Sequence, residues 1–318
     1  MSEDPGREVE HTVEIAAEPE AVHRLLADAV AWPHLFPPTV HVEREDLGSG
    51  RERLHIWALA GEDVRAWTSQ RQVCGEELEI AFRQEVSAAP VASMSGVWRV
   101  RARPEGGSRV VLSHAFRAVA DDPAGLDWIE QATDRNSRSE LESLRTLAEG
   151  LGERDQVLFT FADEVLVEAP PEPVYDFLYR ADLWPRRLPH VARVDLAEPA
   201  DRQQVLEMDT LSTEGVRHTT RSVRIGRPPR LLVYKQTATP AALAAHTGRW
   251  ILQDGPRPGT TRAISEHTVR LDPDKALGLP GVGSLAEARD AVRRALGANS
   301  TITLELAREY AEGMKTAG

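Results

Sequence analysis

The segment Trp67-Thr68-Ser69-Gln70-Arg71 sets an indole, a hydroxyl and a guanidinium at alternate positions. Side chains along an extended strand repeat with a period of two, so Trp67, Ser69 and Arg71 share one face. His55, Trp57 and Leu59 form a second alternating set on the preceding run. If the Arg71 face looks outward, this is an ordinary solvated arginine. If it looks inward, a guanidinium that never loses its charge offers fixed donors to a ketone or enolate oxygen. His114 and His267 lie on later alternating runs, where a ring can move a proton near neutral pH or serve as a satisfied strand histidine. Asn136 and Asn299 fall inside long helical stretches, an unfavourable place for asparagine unless an inward polar group or a bend is wanted. Trp98 and Trp250 read as sheet or pocket wall. No Cys/His spacing suggests a metal site, and neither a phosphate-cradling glycine loop nor a G-x-S-x-G elbow is present.

The elements that must position these groups are written twice. HTVEIAAEPEAVHRLLADAVAWPHLFPPTVHVE from His11 matches DEVLVEAPPEPVYDFLYRADLWPRRLPHVARVD from Asp163 without a gap, pairing Trp32-Pro33 with Trp184-Pro185. Further on, with small shifts, Arg71 pairs with Arg221, Trp98 with Trp250 and His114 with His267. Asp122-Pro123 then pairs with Asp272-Pro273, Asn136-Ser137 with Asn299-Ser300, and Glu149-Gly150 with Glu312-Gly313. In the second copy Thr219 or His218, and Thr220, stand where the first has Trp67 and Ser69. Two domains are expected, 1–152 and 158–318, joined by a short polar linker at 150–157. Each copy reads as a strand, a proline-opened helix, a second short helix begun by Trp-Pro, six turn-punctuated antiparallel strands and a closing helix near 124–149 or 284–313. The segment from Pro273, PDKALGLPGVGS, reads as a mobile lid.

Composition narrows the partners. The net charge is −12. Residues 1–157 hold 29 acidic and 17 basic side chains, so the first half carries the whole imbalance. Nucleic acid is therefore not an expected partner, since phosphate binding needs a basic surface. No run of residues has the length and apolarity of a membrane span, and the acidic N-terminus lacks the order of a signal peptide. With one cysteine, Cys74, the expected setting is the cytoplasm.

The element order resembles the helix-grip fold of the START and Bet v 1 superfamily. The expected class is therefore α+β: in each copy an antiparallel sheet wraps a long C-terminal helix around an interior cavity. W-x-S-x-R on this strand, with tryptophans nearby and an asparagine on the long helix, resembles the two-domain aromatase/cyclases of bacterial type II (aromatic) polyketide synthases. The resemblance implies that a ketoreduced poly-β-ketone, tethered to an acyl carrier protein, closes its first ring by aldol condensation and loses water to become aromatic. It implies Arg71, Ser69 and His114 as catalytic groups, Arg221 and His267 as their counterparts, and no cofactor. Substrate would lie against Trp67, Trp57, Trp98 and Asn136, or against Thr220, Trp250 and Asn299. Other synthase subunits are further candidate partners. The second copy is read either as a second pocket with different duties or as a scaffold. A non-catalytic carrier of hydrophobic ligands on the same fold is the alternative function.

Overall fold

The computed structural model describes residues 6–61, 63–211 and 217–316. The chain forms two compact units, Met1–Arg154 and Asp155–Gly318. In the first, β1 (Arg7–Ile15) leads into α1 (Pro19–Ala27) and α2 (Trp32–Leu35). Six strands follow: β2 (Thr39–Gly48), β3 (Arg51–Ala60), β4 (Asp63–Cys74), β5 (Glu79–Val86), β6 (Val91–Ala102) and β7 (Ser108–Ala118). The long helix α3 (Pro123–Glu149) closes the unit. All strand pairs are antiparallel, in the order β1-β7-β6-β5-β4-β3-β2, so the last strand returns to pair with the first.

The second unit repeats this plan. It runs β8 (Leu158–Val167), α5 (Pro171–Tyr179), α6 (Trp184–Arg187), β9 (Val191–Ala200), β10 (Gln203–Leu211), β11 (Arg217–Arg227), β12 (Leu231–Ala238), β13 (Leu243–Asp254), β14 (Thr261–Leu271) and α8 (Leu285–Thr316). Its sheet order is β8-β14-β13-β12-β11-β10-β9. Two expectations change. The stretch read as an open linker is helical, with a 3₁₀ turn at Leu151–Glu153 and the one-turn helix α4 (Arg154–Val157). The stretch read as a lid is packed: Asp272 caps the short helix α7 (Pro273–Ala276), and Ala276 is buried with Leu279, Val282 and Leu285 against Val269 and Leu271.

Each closing helix is tied to its first strand by side chains that recur in the two copies. Asp122 caps α3 by accepting from the Gly125 N–H. At the far end Glu149 accepts the Ala16 N–H at 2.9 Å, and Glu312 accepts the Glu168 N–H at 2.8 Å. The apolar stripe of α3, Ile129, Leu141, Leu144 and Ala148, faces the sheet.

One cross-strand row is set by glycine. Phe82 lies opposite Gly96, which lies opposite His114; Tyr234, Gly248 and His267 repeat the row. A Cβ at Gly96 would run into the Phe82 ring and the Ser113 carbonyl, and one at Gly248 into the Tyr234 ring. The glycine lets an aromatic ring lie flat on the sheet beside the histidine. Gly96→Ala and Gly248→Ala are each expected to cost about 1–3 kcal/mol by overpacking, read as a lowered urea midpoint.

Candidate active site

The W-x-S-x-R face of β4 points into the first unit. Arg71 is 2% exposed, and its fork is occupied. Nε donates to Glu52 at 2.6 Å, Nη1 donates to the Leu26 carbonyl at 3.1 Å, and Nη2 donates to the Ala27 carbonyl. The guanidinium also lies over the Trp32 ring at 5.3 Å, and the Trp32 Nε1–H donates to the same Leu26 carbonyl. These carbonyls end α1, where a helix has unpaired acceptors and partial negative charge. Arg71 therefore ties β4 to the end of α1. Burial pulls its pKa down while Glu52 pulls it up, and it stays a cation.

The counterpart in the second unit is Arg224, not Arg221. Arg224 donates to the Leu178 and Tyr179 carbonyls that end α5 and sits 4.9 Å over Trp184, whose Nε1–H donates to Phe177 O. A register irregularity between Thr68 and Ser69 recurs between Arg221 and Ser222, which fixes the alignment. Thr220, Ser222 and Arg224 thus match Trp67, Ser69 and Arg71. Arg221 is half-buried in the alternate register, opposite Glu207, whose carboxylate pairs with Arg193. Two arginines three residues apart in TTRSVR left the choice open to error by sequence matching alone.

Two further placements differ from expectation. Trp57 lies in the register opposite to Leu54 and Ile56, which pair with Ser69 and Trp67; it is 5% exposed and packs with His41 and His55. Asn299 is exposed, although its counterpart Asn136 is half-buried and donates to the Leu59 carbonyl at 3.0 Å. Trp98 and Trp250 are core residues, 5% and 6% exposed, and Trp98 stacks on Phe36.

Trp67 and Ser69 on β4, His114 on β7 and Glu140 on α3 all lie on the inward registers of the first unit. The His114 ring meets Phe82 edge-on at 5.5 Å. Its Nδ1 is enclosed without a hydrogen-bond partner among the described residues, yet the ring keeps accessible surface. Burial, with a smaller contribution from His11, pushes its pKa down to about 4, so the ring is neutral at pH 7. His11 itself reaches Asp134 on α3 at 2.9 Å. Glu140 is the residue that sequence reading missed. It is enclosed by the unit and its carboxyl is pushed up to about 8 by burial, yet it is only half-buried by accessible surface. It lies on the inward face of α3, three residues from Ser137 and four from Leu144. The signal was available: an acidic residue interrupts the apolar stripe of a helix.

A depression of about 650 Å³ also touches His114, Arg71, Phe82 and Gly96. Most of its lining is the alternate register, including Glu8, Glu10, Gln70, Gln72, Arg83 and Ser113, and none is from α3.

In the second unit the matching histidine is tied at both nitrogens. His267 Nε2 lies 3.1 Å from Ser265 Oγ; Nδ1 lies 3.1 Å from the Tyr234 hydroxyl and 3.0 Å from His246 Nε2. The ring stacks on Phe161 at 4.9 Å. Burial lowers its pKa to about 4 as well. Among the described residues no group of His, Cys, Asp and Glu is placed to hold a metal.

Comparison with known proteins places these units in context. Residues 7–149 and 159–312 each match the family model described as polyketide cyclase/dehydrase and lipid transport. The chain is 40% identical over 309 residues to the granaticin polyketide synthase bifunctional cyclase/dehydratase of Streptomyces violaceoruber, covering 95% of this chain and 94% of that one. It is 40% identical over 315 residues to the actinorhodin polyketide synthase bifunctional cyclase/dehydratase of Streptomyces coelicolor, covering 96% of each. Among solved structures, the di-domain aromatase/cyclase BexL of the BE-7585A pathway superposes with a TM-score of 0.84 at 46% identity, covering 96% of this chain and 99% of its own. StfQ of the steffimycin pathway does so at 0.84 and 30% identity, covering 97% and 99%.

Arg71→Ala would leave Glu52 and two helix-end carbonyls without their donor, at an expected cost of about 3–5 kcal/mol. Arg221→Ala, in the alternate register, is expected to cost under about 1 kcal/mol. Urea unfolding followed by tryptophan fluorescence compares them; equal midpoints would remove the clamp from the first unit.

Proposed function

This chain belongs to the polyketide cyclase/dehydrase and lipid-transport family and is an aromatase/cyclase of an aromatic polyketide synthase; from that premise we propose that the first unit is its reaction chamber. The supporting observation is the difference between the two histidines. His114 keeps accessible surface and has no partner for Nδ1, whereas both nitrogens of His267 are engaged within the protein. A ring that keeps accessible surface and has an unpaired nitrogen can still bond a substrate; a ring bonded at both nitrogens is part of the core.

The substrate class is a ketoreduced poly-β-ketone presented on an acyl carrier protein. Its chain enters between the sheet and α3 and folds against Trp67 and the apolar wall. The Ser69 hydroxyl donates to the ketone oxygen that gains charge as the aldol carbon–carbon bond forms. Neutral His114 takes the proton from the carbon between two carbonyls, which makes the enolate nucleophile, and returns it to the alkoxide oxygen once the carbon–carbon bond has formed. Arg71 does not meet the substrate in this reading. It is a positioning residue, which holds β4 against the end of α1 so that Ser69, two residues away, faces the chamber. Holding both reacting carbons of one chain together supplies much of the acceleration, since the substrate is already reactive.

The test is product analysis in a reconstituted synthase with and without this protein, comparing wild type, His114→Asn and His267→Asn. Wild type should divert shunt products to a single aromatic-ring compound, and His114→Asn should slow that about 10²–10⁴-fold. His267→Asn should act through stability instead, restored at lower temperature. Because His114 is already neutral, ring closure should show no inflection between pH 5.5 and 7.5, a window well above its pKa of about 4. A product profile indifferent to the protein would favour a carrier of hydrophobic ligands.

A further inference from the structure

Glu140 has no place in the ring-closing step, and its setting gives it one elsewhere. On α3 it lies within the inward stripe formed by Ile129, Thr133, Ser137 and Leu144, which stand eleven, seven, three and four residues from it. The helix is anchored at two points along β4. Trp128 lies under Arg65 at 5.5 Å near one end, and Leu144 packs with Leu25 and Leu26 beside Arg71 near the other. Glu140 falls between these anchors on α3, as Ser69 falls between Arg65 and Arg71 on β4. Among the described residues its carboxyl has no hydrogen-bond or ion-pair partner. The ionisable groups on the inward registers of the surrounding elements are Arg7 and His11 on β1, Glu52 on β3, Arg65 and Arg71 on β4, His114 on β7, His23 on α1 and His34 on α2; Arg7 pairs with Asp127 and Glu130, and Arg65 with Asp63. Arg71 is already paired with Glu52 and His11 is engaged with Asp134. The equivalent position on α8, counting from the matched Ser137 and Ser300, is Thr303, whose hydroxyl turns back to the Asn299 carbonyl.

We propose that Glu140 is the acid of the first chamber, donating its proton to the hydroxyl that leaves when the closed ring is dehydrated, and that the second unit lacks this step. The inference rests on the aromatase/cyclase reading above. In the cyclic β-hydroxy ketone, the C–H bond beside the ketone breaks and its proton passes to His114. The electron pair becomes the new C=C bond as the C–O bond breaks. The departing oxygen takes the Glu140 proton and leaves as water. His114 then returns its proton to the Glu140 carboxylate, through water, and both groups are restored. A carboxyl held neutral by enclosure at pH 7 is suited to this donation, as a solvated one would already be ionised.

The experiment is the reconstituted synthase with wild type, Glu140→Gln and Glu140→Asp, products being resolved by mass. Glu140→Gln should still close the ring but accumulate a product one water heavier, with dehydration slowed about 10²–10⁴-fold. Wild-type dehydration should fall as pH rises through about 8, a limb that Glu140→Asp retains and Glu140→Gln loses. The folded-state pKa is raised, so ionisation costs wild-type stability progressively from the usual 4.5 to about 8; Glu140→Gln should gain stability relative to wild type over that window. Dehydration by Glu140→Gln at the wild-type rate overturns the inference, as does a loss that Glu140→Asp fails to rescue while the wild-type pH profile stays flat. Wild-type protein that alters no product would overturn the aromatase/cyclase reading itself, and this inference with it.

Discussion

A charged fork lodged in each core, Arg71 in one unit and Arg224 in the other, is the interaction on which the chambers depend. A helix that ends against a sheet leaves carbonyls with nothing to accept from, and burying them unpaired costs free energy. In both units a strand arginine and the Trp-Pro indole supply the missing donors. The tryptophan that breaks the chain after α1 therefore also finishes the helix, and it offers its ring face to the guanidinium. Around this joint the two units differ in charge. Glu52 neutralises Arg71 directly, whereas its counterpart Gln204 lies opposite Arg224 and bonds instead to the Tyr179 carbonyl and Glu198. Arg224 thus stays buried beside tyrosines, with a pKa lowered to about 10. A neutral amide leaves the second joint with less compensation than the first.

Divergence between the copies is concentrated on the inward faces. Where the first unit has Val9, Phe82, Met94 and Leu112 around His114, the second has Phe161, Tyr234, His246 and Ser265 around His267. Each change gives the second histidine a ring to stack on or a polar atom to bond. Lining the same histidine with apolar groups in one copy and hydrogen-bonding groups in the other leaves His114 Nδ1 unpaired and ties both nitrogens of His267. The pair His11–Asp134 changes in the same direction. Asp163 stands in place of His11, Gly297 in place of Asp134, and Arg293 reaches across to hold Asp163 at 2.5 Å.

The repeat, the element order and the inward face of β4 were legible because they rest on periodicity and on rare residues held in order. Trp32 and Trp184, or Pro33 and Pro185, align without choice. Arg221 against Arg224 does not, since a hairpin of different length precedes it and both candidates lie in one strand. Trp57 was placed on the wrong face for a related reason: alternation says which residues share a face, not which face is inside. The partners of Arg71 were beyond reach, since Leu26, Ala27 and Glu52 contribute backbone or distant side chains that no spacing rule brings together. Glu140 was legible in principle, being a charged residue within an apolar helical stripe, but only the fold of the unit turns that stripe inward.

The strand order has a consequence in time. Because β1 pairs with β7, neither sheet can be completed until its last strand has been made, with some hundred residues separating the partners in each case. All of these pairings stay within one unit, so the first barrel of contacts can close while the second is still being synthesised. An ancestor that copied the whole unit end to end kept this property, which a duplication cut anywhere inside the sheet would have lost. Nascent chains of this protein should pass through a stage in which one half is protease-resistant and the other is not.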